Sequence, residues 1–251
     1  QIKASGIEID TRNYSDQFRE RMEKLEQTGA ALRNDEKSVV VNEISPACVA
    51  CQTGRGSATF FISLQCHRDC YYCFNPNQQN YNYYQTHTRD VIAELEEIKN
   101  QNQHVEHLAL TGGEPLLHKE KTIEFFDYAR EHFPGVYTRL YTCGDHIDQE
   151  TLQALQEAGL TEIRFSIRMH DLVQGQRGTF ERIAMANEYI PFVMVEMPVL
   201  PDTLEEMKDI LRELDDLGLY SINLLELCYP LTNEEEFNQR GYQVKARPFR
   251  V

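Results

Sequence analysis

Nothing in this chain approaches the roughly 18 consecutive apolar residues that a membrane-spanning helix needs. Its first residues carry neither the basic nor the apolar stretch of a secretory signal, so a cytoplasmic protein is expected. Positive charge is scarce too: 25 Lys and Arg stand against 40 Asp and Glu, a formal net charge of −15. Sequence-independent binding to nucleic acid or to an anionic membrane draws on a surplus of cations, so both are disfavoured, with only a local basic groove left open. A disulfide framework is also absent: the seven cysteines, an odd number, fall at 48/51, 66/70/73, 143 and 228. Thiols so grouped in a reducing compartment point to metal binding or thiol chemistry.

What is there is ordinary for a globular protein, 41% hydrophobic and 26% charged residues. The length of 251 residues allows one sizeable domain or two small ones. Acidic runs such as AELEEIKN (93–100) and TLEEMKDILRELDDLG (203–218) read as solvated helix faces. Apolar positions at Phe18, Met22 and Leu25 predict an amphipathic helix within 14–33, VVVNEI (39–44) a short strand, and the Gly- and Cys-rich 46–57 a loop. From residue 58 strand and helix patterns alternate. Strands are predicted at 58–64, 104–110, 136–142, 161–168, 191–199 and 221–227, with helices at 89–101, 119–133, 148–159, 179–189 and 203–217. Such alternation means an α/β fold with a parallel sheet whose functional groups gather at the C-terminal ends of the strands. Six units suit an open partial barrel or a doubly wound sheet. The expected organisation is an N-terminal extension of helix, short strand and CxxC loop (1–57), the α/β domain (58–230) and a C-terminal segment (231–251) with a short helix at 233–239. The chain starts on Gln1 and stops at PFRV without the punctuation that closes a domain, so the natural protein is expected to run further.

CHRDCYYC (66–73) directly follows the first strand of the alternation. Thiolates select iron–sulfur clusters, zinc or copper, and a cubane cluster held by cysteine alone takes four. Three local cysteines leave one position open, which is what a catalytic site keeps and a structural site closes. The alternative is a structural zinc completed by His67 or a remote residue. TGGEP (111–115) ends the second strand on the same face, its paired glycines permitting close backbone approach and Pro115 fixing the turn into the next helix.

CHRDCYYC followed by GGEP resembles the radical S-adenosylmethionine (radical SAM) superfamily, whose cysteine motif is CxxxCΦxC with Φ aromatic, here Tyr72. The resemblance spans about residues 58–230 and implies a partial (β/α)6 barrel. It implies that Cys66, Cys70 and Cys73 hold a [4Fe–4S] cluster whose fourth iron binds S-adenosylmethionine. Gly112, Gly113, Glu114 and Pro115 are then the segment meeting the cofactor's amino group, Tyr72 presents its backbone near the adenine, and Thr142 lies at the third strand end, where Cys143 stands in place of an Asn common in relatives. Ser166 and Arg168 fall where relatives bind ribose and the methionine carboxylate. The implied enzyme cleaves S-adenosylmethionine reductively and abstracts hydrogen from a peptide or protein side chain or a small metabolite, taking electrons from a donor such as flavodoxin or ferredoxin. A glycyl-radical-enzyme activase, a radical SAM methyltransferase and a non-catalytic metal-binding scaffold are the alternatives.

The remaining cysteines bear on which reaction this is. Cys48 and Cys51 are read as a second site for a metal ion or cluster, as a redox-active dithiol, or as two incidental thiols. Cys143 and Cys228, at predicted strand ends, could return a hydrogen atom to a substrate radical, or simply line a pocket. The tyrosine-rich NPNQQNYNYYQ (75–85) reads as a lid, a peptide-receiving surface or a long polar connection.

Overall fold

The computed structural model describes residues 6–173, 177–229 and 232–245. In chain order come β1 (Glu8–Asp10), α1 (Ser15–Gln27), β2 (Ala31–Arg33), β3 (Ser38–Val40), α2 (Pro46–Thr53) and β4 (Ser57–Phe61). After the cysteine loop follow α3 (Tyr81–Tyr84), α4 (Val91–Asn100), β5 (His107–Thr111), α5 (Lys119–His132), β6 (Tyr137–Thr142), α6 (Gln149–Glu157) and β7 (Glu162–Ser166). The chain continues with α7 (Met169–Val173), α8 (Gly178–Ala186), β8 (Phe192–Val199), α9 (Leu204–Asp216), β9 (Ser221–Glu226), α10 (Glu234–Gln239) and β10 (Gln243–Lys245). The closing PFRV lies outside the described residues.

Two compact units divide the chain, one made of residues up to 45, 71–77 and from 228 on, the other of 46–70 and 78–227. In the larger unit the six expected strands form one parallel sheet in the order β4-β5-β6-β7-β8-β9, which does not close on itself. One face of it is apolar. Leu140, Ile163, Phe165, Val193, Val195 and Met197 are buried there, and the helices supply Leu95 from α4, Phe125, Phe126 and Ala129 from α5, Leu152 and Leu155 from α6, and Met207, Ile210 and Leu214 from α9. Recurrence at three and four residues makes each of those helices a one-sided apolar stripe. Asp90 caps α4 by accepting from Ala93 N at 3.0 Å, and Asp148 caps α6 by accepting from Thr151 N at 2.8 Å.

The larger unit begins at Pro46 rather than at residue 58, because the stretch expected to be a loop is helical over Pro46–Thr53. Pro46 presets the backbone angle of the first helical position, and the breakers come only afterwards, Gly54 adopting φ +63° as its N–H closes on Ala50 O. Residues 39–44 form a strand only as far as Val40, paired antiparallel with β2. In the 75–85 stretch the only regular pieces are a 3₁₀ turn at Asn75–Asn77 and α3.

The smaller unit draws together both ends of the described chain, which the sequence suggested were separate extensions. β1 pairs parallel with β10, placing Glu8 opposite Gln243 and Asp10 opposite Lys245. Within the same unit Tyr71 is held by its surroundings: its carbonyl accepts from Asn233 Nδ2 at 2.7 Å, its ring lies 5.4 Å from Phe237, and Arg240 stacks over it at 4.1 Å.

Candidate active site

Cys66 comes five residues after the end of β4, and the path of that linker is fixed by the GGEP turn. Gly113 N donates to Ser63 O at 3.1 Å and Glu114 N donates to Gln65 O at 2.8 Å. Both glycines are required by this contact. A Cβ on Gly112 would stand 2.5 Å from Ser63 O, with φ at +122°, and one on Gly113 would stand 1.9 Å from Gln65 O. The close approach that the paired glycines allow is therefore to the chain's own backbone, the residue just before the first cysteine.

Glu114 is buried, and its carboxylate ties three segments together. It accepts from Leu116 N at 3.0 Å, from Thr142 Oγ1 at 2.7 Å and from the Cys143 backbone N–H at 2.7 Å. A buried carboxylate satisfied by three donors is a fixed strut rather than a loose ligand. It joins the end of β5 to the end of β6.

A second set of contacts anchors the cysteine loop from the other side. Asp145 accepts from Arg68 Nε and Nη2, both at 2.6 Å, a bidentate pair, while His67 Nε2 lies 2.7 Å from the same carboxylate. Arg182 approaches within 3.6 Å. Burial raises the Asp145 carboxyl, but the Arg68 and His67 hydrogen bonds outweigh it and hold the group well below the usual carboxylate range. Cys143 Sγ lies 3.5 Å from Asp145 Oδ2 and 3.8 Å from His67 Nε2. These three side chains could surround an ion, their ligand atoms all within 4.8 Å of one another. Arg68, however, already occupies both carboxylate oxygens. Burial and the nearby Glu114 carboxylate push the Cys143 thiol far up, so it keeps its S–H.

The donor chemistry of the loop fits an iron–sulfur cluster. Cys66, Cys70 and Cys73 are exposed or half-buried, and none is spent in a disulfide. Cys66 and Cys70 belong to the larger unit and Cys73 to the 71–77 segment of the smaller one. Of the other predicted site residues, Thr142 is buried and bonded to Glu114, whereas Ser166 ends β7 exposed. Arg168, two residues on, is half-buried and reaches Asp171 at 3.4 Å. Pro115 is buried under the turn, and Tyr72 packs edge-on against Tyr71 at 5.0 Å. Cys143 is buried in the larger unit, one residue past β6, and Cys228 is exposed in the smaller unit, two residues past β9.

The inner face of the sheet holds what the sequence reading missed. Arg164 is buried, donating to Glu162 at 2.6 Å, to Glu196 at 2.9 Å and to Tyr141 Oη at 3.4 Å, and Asn223 Nδ2 donates to Glu196 at 2.6 Å. Burial, with a smaller push from Glu196, raises the Tyr141 hydroxyl to about 12, so it remains a donor at neutral pH. The available signal was alternation: YTRLYT sets Arg139 between Tyr137 and Tyr141 on one face, and EIRFS sets Glu162 and Arg164 on the face opposite Ile163 and Phe165.

The family model described as the Radical SAM superfamily matches residues 60–214. A protein of Methanocaldococcus jannaschii, named as a candidate glycyl-radical enzyme activating enzyme, is 27% identical over 214 residues, 81% of this chain and 56% of its own. A PqqA peptide cyclase of Methylocella silvestris is 30% identical over 126 residues, 48% of this chain and 32% of that one. The chain thus spans only about half the length of the first of these curated relatives and a third of the second. Among solved structures, SuiB of Streptococcus suis bound to S-adenosylmethionine aligns with a TM-score of 0.55 at 12% identity, over 92% of this chain and 59% of that one. At that identity the likeness is one of fold.

Proposed function

Because the chain belongs to the radical SAM superfamily, we propose that it abstracts a hydrogen atom from a peptide or protein substrate, with Cys66, Cys70 and Cys73 holding the [4Fe–4S] cluster. The observation that carries this reading is the cysteine loop set at the end of β4 and locked to the GGEP turn. A cluster held by these three cysteines would supply the one-electron chemistry that cleaves S-adenosylmethionine. The chain's own residues position and shield. Ser166 and Arg168, at the C-terminal end of β7, are the side chains offered to the ribose and carboxylate of S-adenosylmethionine, and the Arg fork suits a carboxylate. Arg68 and Asp145 keep the loop from moving as it accepts iron. Tyr141 and Asn223 on the inner face offer hydrogen bonds to a polar substrate group. A polypeptide substrate is favoured by the names of the two curated relatives, one an activating enzyme for another enzyme and one a peptide cyclase.

Anaerobic reconstitution tests the chemistry. Parent protein given dithionite and S-adenosylmethionine should produce 5′-deoxyadenosine, and the Cys66→Ala, Cys70→Ala, Cys73→Ala triple variant should produce none. Equal iron and sulfide in the two proteins would sink the assignment of the ligands. For the substrate, polypeptide and small-molecule fractions from cells grown on deuterated amino acids are supplied separately. Deuterium in 5′-deoxyadenosine from the small-molecule fraction alone would refute a polypeptide substrate. The resemblance to an activating enzyme favours one specific form of the reading, hydrogen loss from a glycine Cα, which would leave a glycyl radical visible by electron paramagnetic resonance.

A further inference from the structure

Cys48 and Cys51 take no part in the chemistry above, and their surroundings are unlike those of an incidental pair. A spacing of three on α2 puts both thiols on one face of one helical turn. Each faces a guanidinium from the inner face of the sheet: Arg164 Nη2 donates to Cys48 Sγ at 3.1 Å, and Arg139 Nη2 donates to Cys51 Sγ at 3.3 Å. Arg139 is only 2% exposed, yet its Nε and Nη1 find no acceptor among the described residues. A buried cation so poorly compensated is costly. Its other close partner is the Tyr141 ring, 5.1 Å from the guanidinium carbon. The Cys51 sulfur is the acceptor Arg139 does reach, while Glu162 stands opposite it in register on the next strand. Cys51 is also exposed while Cys48 is half-buried, so one thiol meets solvent and the other waits behind it.

Two alternatives fit less well. A metal ion here would be placed against two fixed positive charges, and neither thiol belongs to a cluster with further His, Cys, Asp or Glu ligands among the described residues. A packing role does not account for an exposed Cys51 or for an Arg139 with empty donors.

We infer that Cys48 and Cys51 are a redox-active dithiol that reduces a small-molecule disulfide of the glutathione type. Cys51, as thiolate, attacks one sulfur of the disulfide, the S–S bond breaks, and one thiolate leaves. Cys48 then gives up its proton and attacks Cys51 Sγ, releasing the second thiolate and closing the Cys48–Cys51 disulfide. The two cysteine sulfurs lose two electrons, the small disulfide gains them, and the cysteines' protons end on the two released thiols or in solvent. A guanidinium hydrogen-bonded to each sulfur places a fixed positive group beside both attacking atoms. The inference does not depend on the radical reaction.

The test uses cluster-reconstituted protein, equilibrated anaerobically across ratios of reduced to oxidised glutathione, quenched with acid and alkylated. Trypsin releases residues 38–55, a peptide that contains Cys48 and Cys51 and no other cysteine. As oxidised glutathione rises, this peptide should pass in one step from two alkyl groups to none, and Cys48→Ser should instead trap glutathione on Cys51. Arg139→Gln should slow the exchange at neutral pH by about ten-fold, with Arg139→Lys recovering most of the rate and circular dichroism showing both variants folded. A peptide doubly alkylated at every ratio would overturn the inference, as would a stoichiometric metal lost on changing Cys48 and Cys51 to Ser. An unchanged rate in a folded Arg139→Gln protein would remove the guanidinium from the account.

Discussion

Replacing Gly113 by alanine probes the contact on which the candidate site is built. The new Cβ would meet Gln65 O at 1.9 Å, Gln65 C at 2.4 Å and Leu64 C at 2.7 Å, all backbone atoms that no rotamer change can move aside. The chain between β4 and the cysteine loop must therefore retreat from the turn by roughly 1 Å or more, which loses the bonds from Gly113 N to Ser63 O and from Glu114 N to Gln65 O. Two backbone hydrogen bonds at about 1 kcal/mol each, with about 1–3 kcal/mol of overpacking strain, make a destabilisation of about 3–5 kcal/mol. For a chain of this size that lowers the melting temperature by roughly 6–20 °C. Cys66 follows Gln65 directly, so iron and sulfide bound on reconstitution should fall in parallel. Gly135→Ala is the control: Gly135 also has positive φ, at +78°, but a Cβ there meets nothing within 4 Å. It should lose only about 1–2 kcal/mol from backbone strain and keep its iron. A Gly113→Ala protein melting within about 2 °C of the parent, with full iron, would refute the claim that this turn sets the loop.

Other consequences are separately measurable. Arg164→Met takes the guanidinium from Glu162, which is fully buried at 0% exposure and keeps the Tyr137 hydroxyl, and should destabilise the protein by about 3 kcal/mol in urea unfolding, with Glu162→Gln in the same background recovering part of the loss. Asp148→Ala removes the cap of α6 and should cost about 1 kcal/mol at pH 7. Hydrogen bonds from Thr151 and Lys119 lower the folded Asp148 carboxyl to about 2. Its contribution is therefore complete above the unfolded value of about 4 and lost as pH falls toward 2, so urea midpoints of parent and variant should converge between pH 4 and 2. Cys143→Ala should leave 5′-deoxyadenosine formation within about two-fold, because alanine keeps the backbone N–H that donates to Glu114 at 2.7 Å. Normal 5′-deoxyadenosine with greatly reduced product would instead give the thiol a role in returning hydrogen.

The parts legible in the sequence are those encoded locally. Each of the six barrel strands is a run of branched and aromatic residues between helix patterns, and the cysteine loop and GGEP turn are short motifs, so periodicity and spacing sufficed. The smaller unit was not legible, because it depends on β1 and β10, three residues each and at opposite ends of the chain, finding one another. Strands that short carry almost no pattern. α2 was missed for a different reason: glycines at 54 and 56 and cysteines at 48 and 51 dominate the composition of 46–57, yet both glycines fall after the helix has ended. Asp145 was missed because a single aspartate after a strand-end glycine has no signature, its importance coming from Arg68, 77 residues away.

The inner face of the sheet is where sequence and structure together say more than either alone. Parallel strands covered on both faces usually read as nearly continuous apolar runs, because each face meets a hydrophobic neighbour. β6, β7 and β8 depart from that rule most on one face, at Arg139, Glu162, Arg164 and Glu196. Arg164 is balanced by Glu162 and Glu196 within the sheet itself. Arg139, one strand away and just as buried, donates to the Cys51 thiol, as Arg164 does to the Cys48 thiol besides its carboxylates. The acidic net charge of the whole chain says little about this face, where two guanidiniums stand among two carboxylates and Arg139 also reaches the sulfur of Cys51 at 3.3 Å.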